Sequence, residues 1–384
     1  MEFSFSEEQL MIRQAARDYA QRELFLDVIE RDEKSIYPEK HVKALAELGF
    51  MGMMVDPKYD GGGMDAVSYV LAMEEISKVD SSVAVIMSVN NSLVCWGLET
   101  FGNEQQKEKY LKPLARGEKI GAFLLSEPEA GSDATSQRTT AEDHGDYYLL
   151  NGTKNWITNG NTASTYLVIA QTDVAAGHKG INAFIVERHS PGISVGPHEN
   201  KMGMRSSDTH SVMFTDVKVP KENRIGENGF GFKFAMQTLD GGRIGIAAQA
   251  LGIASGAYEL AVKYAKQRKA FGTEIINHQA VAFKLSDMAV KIETARLLVL
   301  KAAWLKDQHK PYGIASAMAK QYCADMAMEV TTEAVQIHGG YGYVKEYHVE
   351  RLMREAKLTQ IYEGTSEIQK VVISRAISRN EMNF

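Results

Sequence analysis

The sequence predicts an α+β fold in three parts: an N-terminal α-helical domain over 1–119, a middle β-sandwich or barrel over 120–226, and a C-terminal helical bundle over 227–384. Three observations predict it. Apolar residues recur at steps of three and four in both outer parts, which is the period of a helix with one buried face. The middle instead carries short aromatic and β-branched runs divided by Asn-Gly pairs, the pattern of strands and turns. At 384 residues the chain also exceeds the size at which one hydrophobic core stops growing.

In the first part, Ser6 followed by Glu7 and Glu8 reads as a capped, acidic helix start. Breaks are expected at Pro38, at Asp56-Pro57 and at Gly61-Gly62-Gly63. The glycine triplet lacks the preceding strand and the spacing of a dinucleotide-binding turn, so it reads as a loop. Strands are expected at 147–150, 156–158, 166–170, 183–186 and 212–219, with turns at Asn151-Gly152 and Asn159-Gly160. In the last part Leu285, Met288, Ile292, Ala295, Val299 and Ala302 form one apolar stripe, opposite Lys284, Asp287 and Lys291. Stripes of this length pack as a bundle.

Composition excludes several classes of function. The net charge is −6 and no long basic run occurs, which argues against a nucleic-acid surface. The start MEFSFSEEQL is acidic where a secretory signal is basic and then apolar, and no segment is expected to have the apolar length to span a bilayer, so no membrane insertion is expected. A cytoplasmic protein is the expectation, or one of the mitochondrial matrix if the chain is a processed form. Cys95 and Cys323 are isolated in apolar surroundings, and the ten histidines show no ligand spacing. Neither a disulfide nor a metal site is expected.

Six segments carry chemistry. In Gln360–Gln369, QIYEGTSEIQ, Glu363 precedes a glycine and two hydroxyl residues that suit a helix cap. A carboxylate held in such a bend suits a general base; complementing a helix dipole is the simpler role. FLLSEPEAGSD, Phe123 to Asp133, ends an apolar run in a Gly-Ser bend whose amides suit a polar ring or a phosphate, or a plain turn. Asn155-Trp156-Ile157-Thr158-Asn159-Gly160 places an indole at a strand end, where it covers a flat ligand or fills a core. Leu239-Asp240-Gly241-Gly242-Arg243 opens an alanine-rich helix with a cation in its first turn, which calls for a nearby anion or for Asp240 itself. Arg268-Lys269-Ala270-Phe271-Gly272 with His278-Gln279 offers a cationic fork beside an aromatic ring, suited to a pyrophosphate and a flat base. Gln336-Ile337-His338-Gly339-Gly340 ends another helix, as a close backbone approach or a C-cap.

In this order SEPEAGSD, NWITNG, LDGGRIGIAAQALG, RKAFG, QIHGGYGY and IYEGTSEIQ resemble the acyl-CoA dehydrogenase family over nearly the whole chain, with the last third similar to its short-chain, butyryl-CoA type. The resemblance implies an FAD enzyme that removes two hydrogens from a short acyl-CoA to give the trans-2-enoyl-CoA and passes electrons to electron-transfer flavoprotein. It implies Glu363 as the α-proton base. It also implies that Phe123, Leu124, Leu125, Ser126, Ala130, Gly131, Ser132, Trp156, Ile157 and Thr158 line the flavin ring, touched also by Thr365, Ser366 and Glu367. Arg268, Phe271, Gln279, Gln336, Ile337, His338, Gly339 and Gly340 are then expected to hold the FAD of a neighbouring subunit in a homotetramer, a dimer of dimers. Ser132, Asp240, Gly241, Gly242, Arg243 and Gly364 are expected at the acyl-CoA, with Gln249 closing the acyl pocket. Some members carry the base immediately before the arginine instead; here that position is Gly242. A short branched acyl-CoA, a longer acyl-CoA oxidase, a silent acyl-CoA-binding subunit and an electron-bifurcating complex are the alternatives.

Overall fold

The computed structural model describes residues 4–382. Ser6 caps α1 (Glu7–Tyr19) in a reciprocal capping box with Gln9. This helix runs through a π turn into α2 (Phe25–Lys34), and α3 (Glu39–Glu47) starts after Pro38. Asp65 and Asp80 cap α4 (Ala66–Ser77) and α5 (Ser81–Ser88), both wholly buried. A second π turn, Val89–Cys95, joins α5 to α6 (Trp96–Phe101), and the short α7 (Glu104–Gln106) and α8 (Lys112–Ala115) follow.

The middle part is one eight-stranded sheet, with β1 (Gly121–Leu124), β2 (Thr140–Asp143), β3 (Tyr147–Thr158), β4 (Thr165–Gln171), β5 (Ile181–Glu187), β6 (Ile193–Val195), β7 (Thr209–Pro220) and β8 (Arg224–Ile225). The strand order is β6-β7-β3-β2-β4-β5-β8, with β1 parallel to β4. Asn151-Gly152 is not the expected turn: β3 runs straight through it. Gly152 adopts φ +145° where the pairing with β7 shifts register, so the pair makes a bulge instead of a reversal. Strand β4 is buried on both faces. Tyr166, Val168 and Ala170 join Phe184 in the sheet's own core, while Leu167 and Ile169 join the helical core with Ile185. That second face seats the sheet against the helices.

The last part contains α9 (Gly231–Gln267), a two-stranded ribbon of β9 (Lys269–Ala270) and β10 (Thr273–Glu274), α10 (Gln279–Asp307), α11 (Gly313–His338), α12 (Val349–Thr359) and α13 (Ser366–Ser378). All six residues of the predicted α10 stripe are buried. Its polar face is not simply solvated, because Lys284 pairs with Glu333 and Lys291 with Glu329 of α11. Helix α9 begins at Gly231, so Arg243 lies in its interior and the expected first-turn placement is corrected. The glycine pair before it does not break the helix, since tertiary packing outweighs a propensity cost of about 1 kcal/mol per glycine.

Two stretches, Ser81–Phe101 and Gly231–Gln267, are long and apolar enough to cross a bilayer, which corrects the expectation that none is. Their most apolar windows are 94% and 83% buried inside the protein, so neighbouring elements account for the composition. Cys95 and Cys323 are free and buried, and no group of three or more metal-ligating side chains occurs among the described residues.

Candidate active site

Helix α9 supplies one wall of the site. Gly242 faces the loop between α12 and α13, and a Cβ added there would collide with Oε2 of Glu363 and come within 2.7 Å of Leu93 Cδ2 in the second π turn. The carboxylate occupies the volume where a side chain would begin, so any residue larger than glycine makes Glu363 or Leu93 shift. Gly245, one turn on, is walled by Tyr69 Oη and Ser88 Oγ, each 2.6 Å from where its Cβ would be. Gln249 lies two turns beyond Gly242, about 10 Å along the helix. It is fully buried, donates to Ser81 O at 2.8 Å and accepts from Tyr362 Oη.

The loop itself is held from α11. Glu363 and Gly364 take consecutive positive φ values, +50° and +88°. Lys320 Nζ donates to Gly364 O at 2.5 Å, and Gln369 Nε2 donates to the same oxygen at 2.9 Å. Asp325 accepts from Gln360 Nε2 at 2.7 Å and from Ser366 Oγ at 3.1 Å. Thr365 caps α13 through Ile368 N, close to the helix start read from the sequence. A non-glycine residue in the left-handed region costs roughly 1–3 kcal/mol and persists only where its surroundings over-determine it, as these bonds do at Glu363.

The charges of the site are paired unevenly. Arg243 Nη1 donates to Asp240 Oδ1 at 2.5 Å, whereas Arg243 Nε and Glu363 Oε2 are buried with no partner among the described residues. Such orphans are uncommon in folded proteins and call for a ligand. Burial pushes the Glu363 carboxyl from 4.5 up to about 7, opposed by Lys320 and Arg243, and pulls Lys320 down to about 8, opposed by Glu363. Burial also lowers Arg243 and raises Asp240.

A stability prediction follows from the carboxyl. The folded value lies above the unfolded one, so this stabilising contribution is complete below about pH 4.5 and is lost as pH rises through about 7. Glu363→Gln removes that ionisation. The variant is expected to match the parent at pH 4 and to exceed it at pH 8 by up to about 3 kcal/mol, read by denaturant unfolding. Equal stability at pH 8 would show that Glu363 ionises without cost.

The two segments expected around the flavin ring are tied together. Asn155 N donates to Ser126 O at 2.8 Å, and the buried Lys154 donates to Leu125 O at 3.0 Å and to Glu127 Oε1 at 2.7 Å. Glu127 in turn accepts from Arg138 N and Thr139 N, which fixes the loop carrying Ala130, Gly131 and Ser132. Trp156 sits at a bulge of β3 with φ +60° and is 62% exposed, so its ring stands out of the sheet. Gly131 and Ser132 are exposed, and nothing lies within 4 Å of where a Gly131 Cβ would be. Leu124 and Ile157 point into the sheet's core, and Ala130 is also buried, leaving mainly their backbone for a ligand. Phe123, Leu125, Ser126 and Thr158 are half-buried; Glu367 is exposed in the first turn of α13. An exposed indole beside open backbone fits a flat heterocycle.

The remaining predicted residues gather elsewhere, at the end of α9 and the start of α10. Phe271 is 97% exposed with φ +53°, and Arg268 lies over the Tyr341 ring at 5.6 Å. Gln279, Gln336, Gly339 and Gly340 are exposed, and both glycines border open space. Ile337 packs in the core, and His338 is buried, donating from Nδ1 to Ala334 O at 2.7 Å and stacked on Tyr264. Their side chains are therefore structural within their own chain. From Gly242 to this end, α9 is continuous for about 38 Å.

Sequence reasoning passed over Lys320, Asp325, Tyr362, Leu93, Lys154 and Glu127. Each lies in a helix, strand or turn of ordinary composition, and its role depends on contacts distant in sequence. Only Glu127 and Tyr362 stood within noted segments.

The acyl-CoA dehydrogenase N-terminal, middle and C-terminal domain families match residues 6–118, 122–217 and 229–378. The chain is 50% identical over 379 residues to a short-chain specific acyl-CoA dehydrogenase of Clostridium acetobutylicum, covering 99% of this chain and 100% of that protein. It superposes on the butyryl-CoA dehydrogenase of Megasphaera elsdenii with TM-score 0.97 and 50% identity, covering 99% and 100% of the two chains. A chain solved in work on the electron transferring flavoprotein of Acidaminococcus fermentans, toward a mechanism of flavin-based electron bifurcation, matches with TM-score 0.97 and 52% identity, covering 99% and 100%.

Proposed function

Because the chain belongs to the acyl-CoA dehydrogenase family, we propose that Glu363 is the base of its reaction, the FAD-dependent dehydrogenation of a short-chain acyl-CoA with electron-transfer flavoprotein as acceptor. The observation that carries this assignment is the buried, unpartnered Glu363 Oε2 against Gly242, one residue before Arg243. A carboxyl poised near pH 7 accepts a proton efficiently at neutral pH. The proton removed is the one on the carbon next to the thioester. We assign the Glu363 backbone N–H as a donor to the thioester oxygen, where negative charge develops as that proton leaves. Arg243, clamped by Asp240 on one nitrogen, joins Lys320 in favouring the ionised form of Glu363.

We assign the exposed Trp156 ring, the backbone of Ser126 to Ser132 and the Thr365–Ser366 helix start to the flavin of the same chain. FAD bound there supplies the acceptor for hydride from the β-carbon. The Arg268, Phe271, Gln279 and Gln336–Gly340 group lies about 38 Å along α9 from the base, too far for the ring held beside Glu363. This separation supports its assignment to a neighbouring subunit's FAD, in a homotetramer.

Gln249 supports the short chain. Its amide is fixed by Ser81, Met204 and Tyr362, and the wall above it is lined by Tyr69 and Ser88, which leaves about two helical turns of depth below Gly242. The test is an anaerobic titration of the purified yellow protein with butyryl-CoA, isobutyryl-CoA and octanoyl-CoA. Butyryl-CoA is expected to bleach the flavin at near-stoichiometric addition and octanoyl-CoA at least tenfold less effectively. Preferential bleaching by isobutyryl-CoA would move the assignment to a branched substrate, and by octanoyl-CoA would overturn the role given to Gln249.

A further inference from the structure

We infer that Lys320 is a positioning residue for the base: from α11 it holds the Glu363–Gly364 peptide in its left-handed form and keeps a positive charge beside the carboxylate that takes the substrate's proton. The inference rests on the proposed role of Glu363.

Lys320 is fully buried, which for a lysine is tolerated only where something specific repays the loss of water. Among the described residues, the one hydrogen bond its ammonium makes is to a neutral carbonyl, Gly364 O at 2.5 Å, in place of a carboxylate. Gln369 already donates to that oxygen, so the backbone there would be satisfied without a cation. Five residues along the same helix, Asp325 fixes the two flanks of the loop through Gln360 and Ser366. The loop is thus held at three points, and only the one next to Glu363 carries a positive charge.

The other groups facing the carboxyl are Arg243 on α9, already engaged by Asp240, Tyr69 on α4 and the neighbouring Tyr362; Asp325 and Glu367 add negative charge near Lys320. Lys320 and Arg243 are the two cations that oppose the effect of burial on Glu363, with Lys320 the larger.

Lys320→Met removes charge and donor, Lys320→Gln keeps a donor without charge, and Lys320→Arg keeps the charge. In the flavin-loaded protein the Glu363 carboxyl is titrated by infrared difference spectroscopy against Glu363→Gln, and the pH dependence of flavin reduction by butyryl-CoA is recorded in parallel. The Met and Gln variants are expected to shift the Glu363 midpoint upward by about one unit and to reduce the rate at pH 7 about tenfold, with KM changed less than about twofold and the rate recovering at higher pH. Lys320→Arg is expected to restore the rate to within about threefold of the parent. An unshifted midpoint in both neutral variants, or loss of fold in both, would make Lys320 a structural strut and overturn the inference. A parent protein that butyryl-CoA fails to bleach would sink the proposed function instead, and the infrared titration would still decide the effect of Lys320 on Glu363.

Discussion

Glu363→Gln is expected to stay folded and yellow while losing about 10³–10⁴-fold in turnover with butyryl-CoA, the range a positioned general base supplies. The substitution is nearly isosteric, and Glu363 Oε2 makes no hydrogen bond among the described residues that an amide would break. The loop keeps its anchors, because Lys320, Gln369 and Asp325 bind backbone or flanking side chains and not the Glu363 carboxyl. The loss therefore isolates the chemistry. Binding is expected to survive: butyryl-CoA should perturb the flavin spectrum of the variant without bleaching it. A variant reduced at a tenth or more of the parental rate would mean that another group takes the proton.

How far the sequence foretold this site differs by residue. Glu363 was legible because a glycine and two hydroxyl residues mark a loop ending in a helix start, and Thr365 does cap α13. The α10 stripe was legible because one buried face imposes a period that no other structure produces. Asn151-Gly152 misled, since the pair serves a bulge as readily as a turn, and only the partner strand β7 decides between them. The start of α9 was placed too late for a related reason. Glycines at 241 and 242 look like a helix boundary, yet Gly242 sits inside the helix where it admits Glu363, and a Cβ at Gly241 would meet the Ser92 carbonyl only at an ordinary 3.7 Å. Lys320, buried beneath the loop, looks from the sequence like any lysine on an amphipathic helix. Local pattern reports local structure; the site is made by segments more than a hundred residues apart.

Gly242→Ala is expected to cost about 100-fold in turnover, although by propensity alone it should stabilise the interior of α9 by about 1 kcal/mol. The added methyl would occupy the space of Glu363 Oε2 and press on Leu93. Leu93 belongs to a buried turn that cannot readily move, so the carboxylate must swing away from the helix. A displacement on the order of 1 Å at a reacting group costs about 10²-fold. The same geometry makes a reciprocal exchange informative. In Gly242→Glu with Glu363→Gly, the new side chain grows from α9 into the volume the old carboxylate vacates, beside the same Arg243. That double variant is expected to regain at least tenfold over Glu363→Gly alone, measured as the rate of flavin reduction by butyryl-CoA. Full activity in Gly242→Ala would show that the Glu363 side chain has room to relocate at no cost, and no recovery in the double variant would show that the reaction needs a carboxylate delivered from the loop, not merely one present at that point.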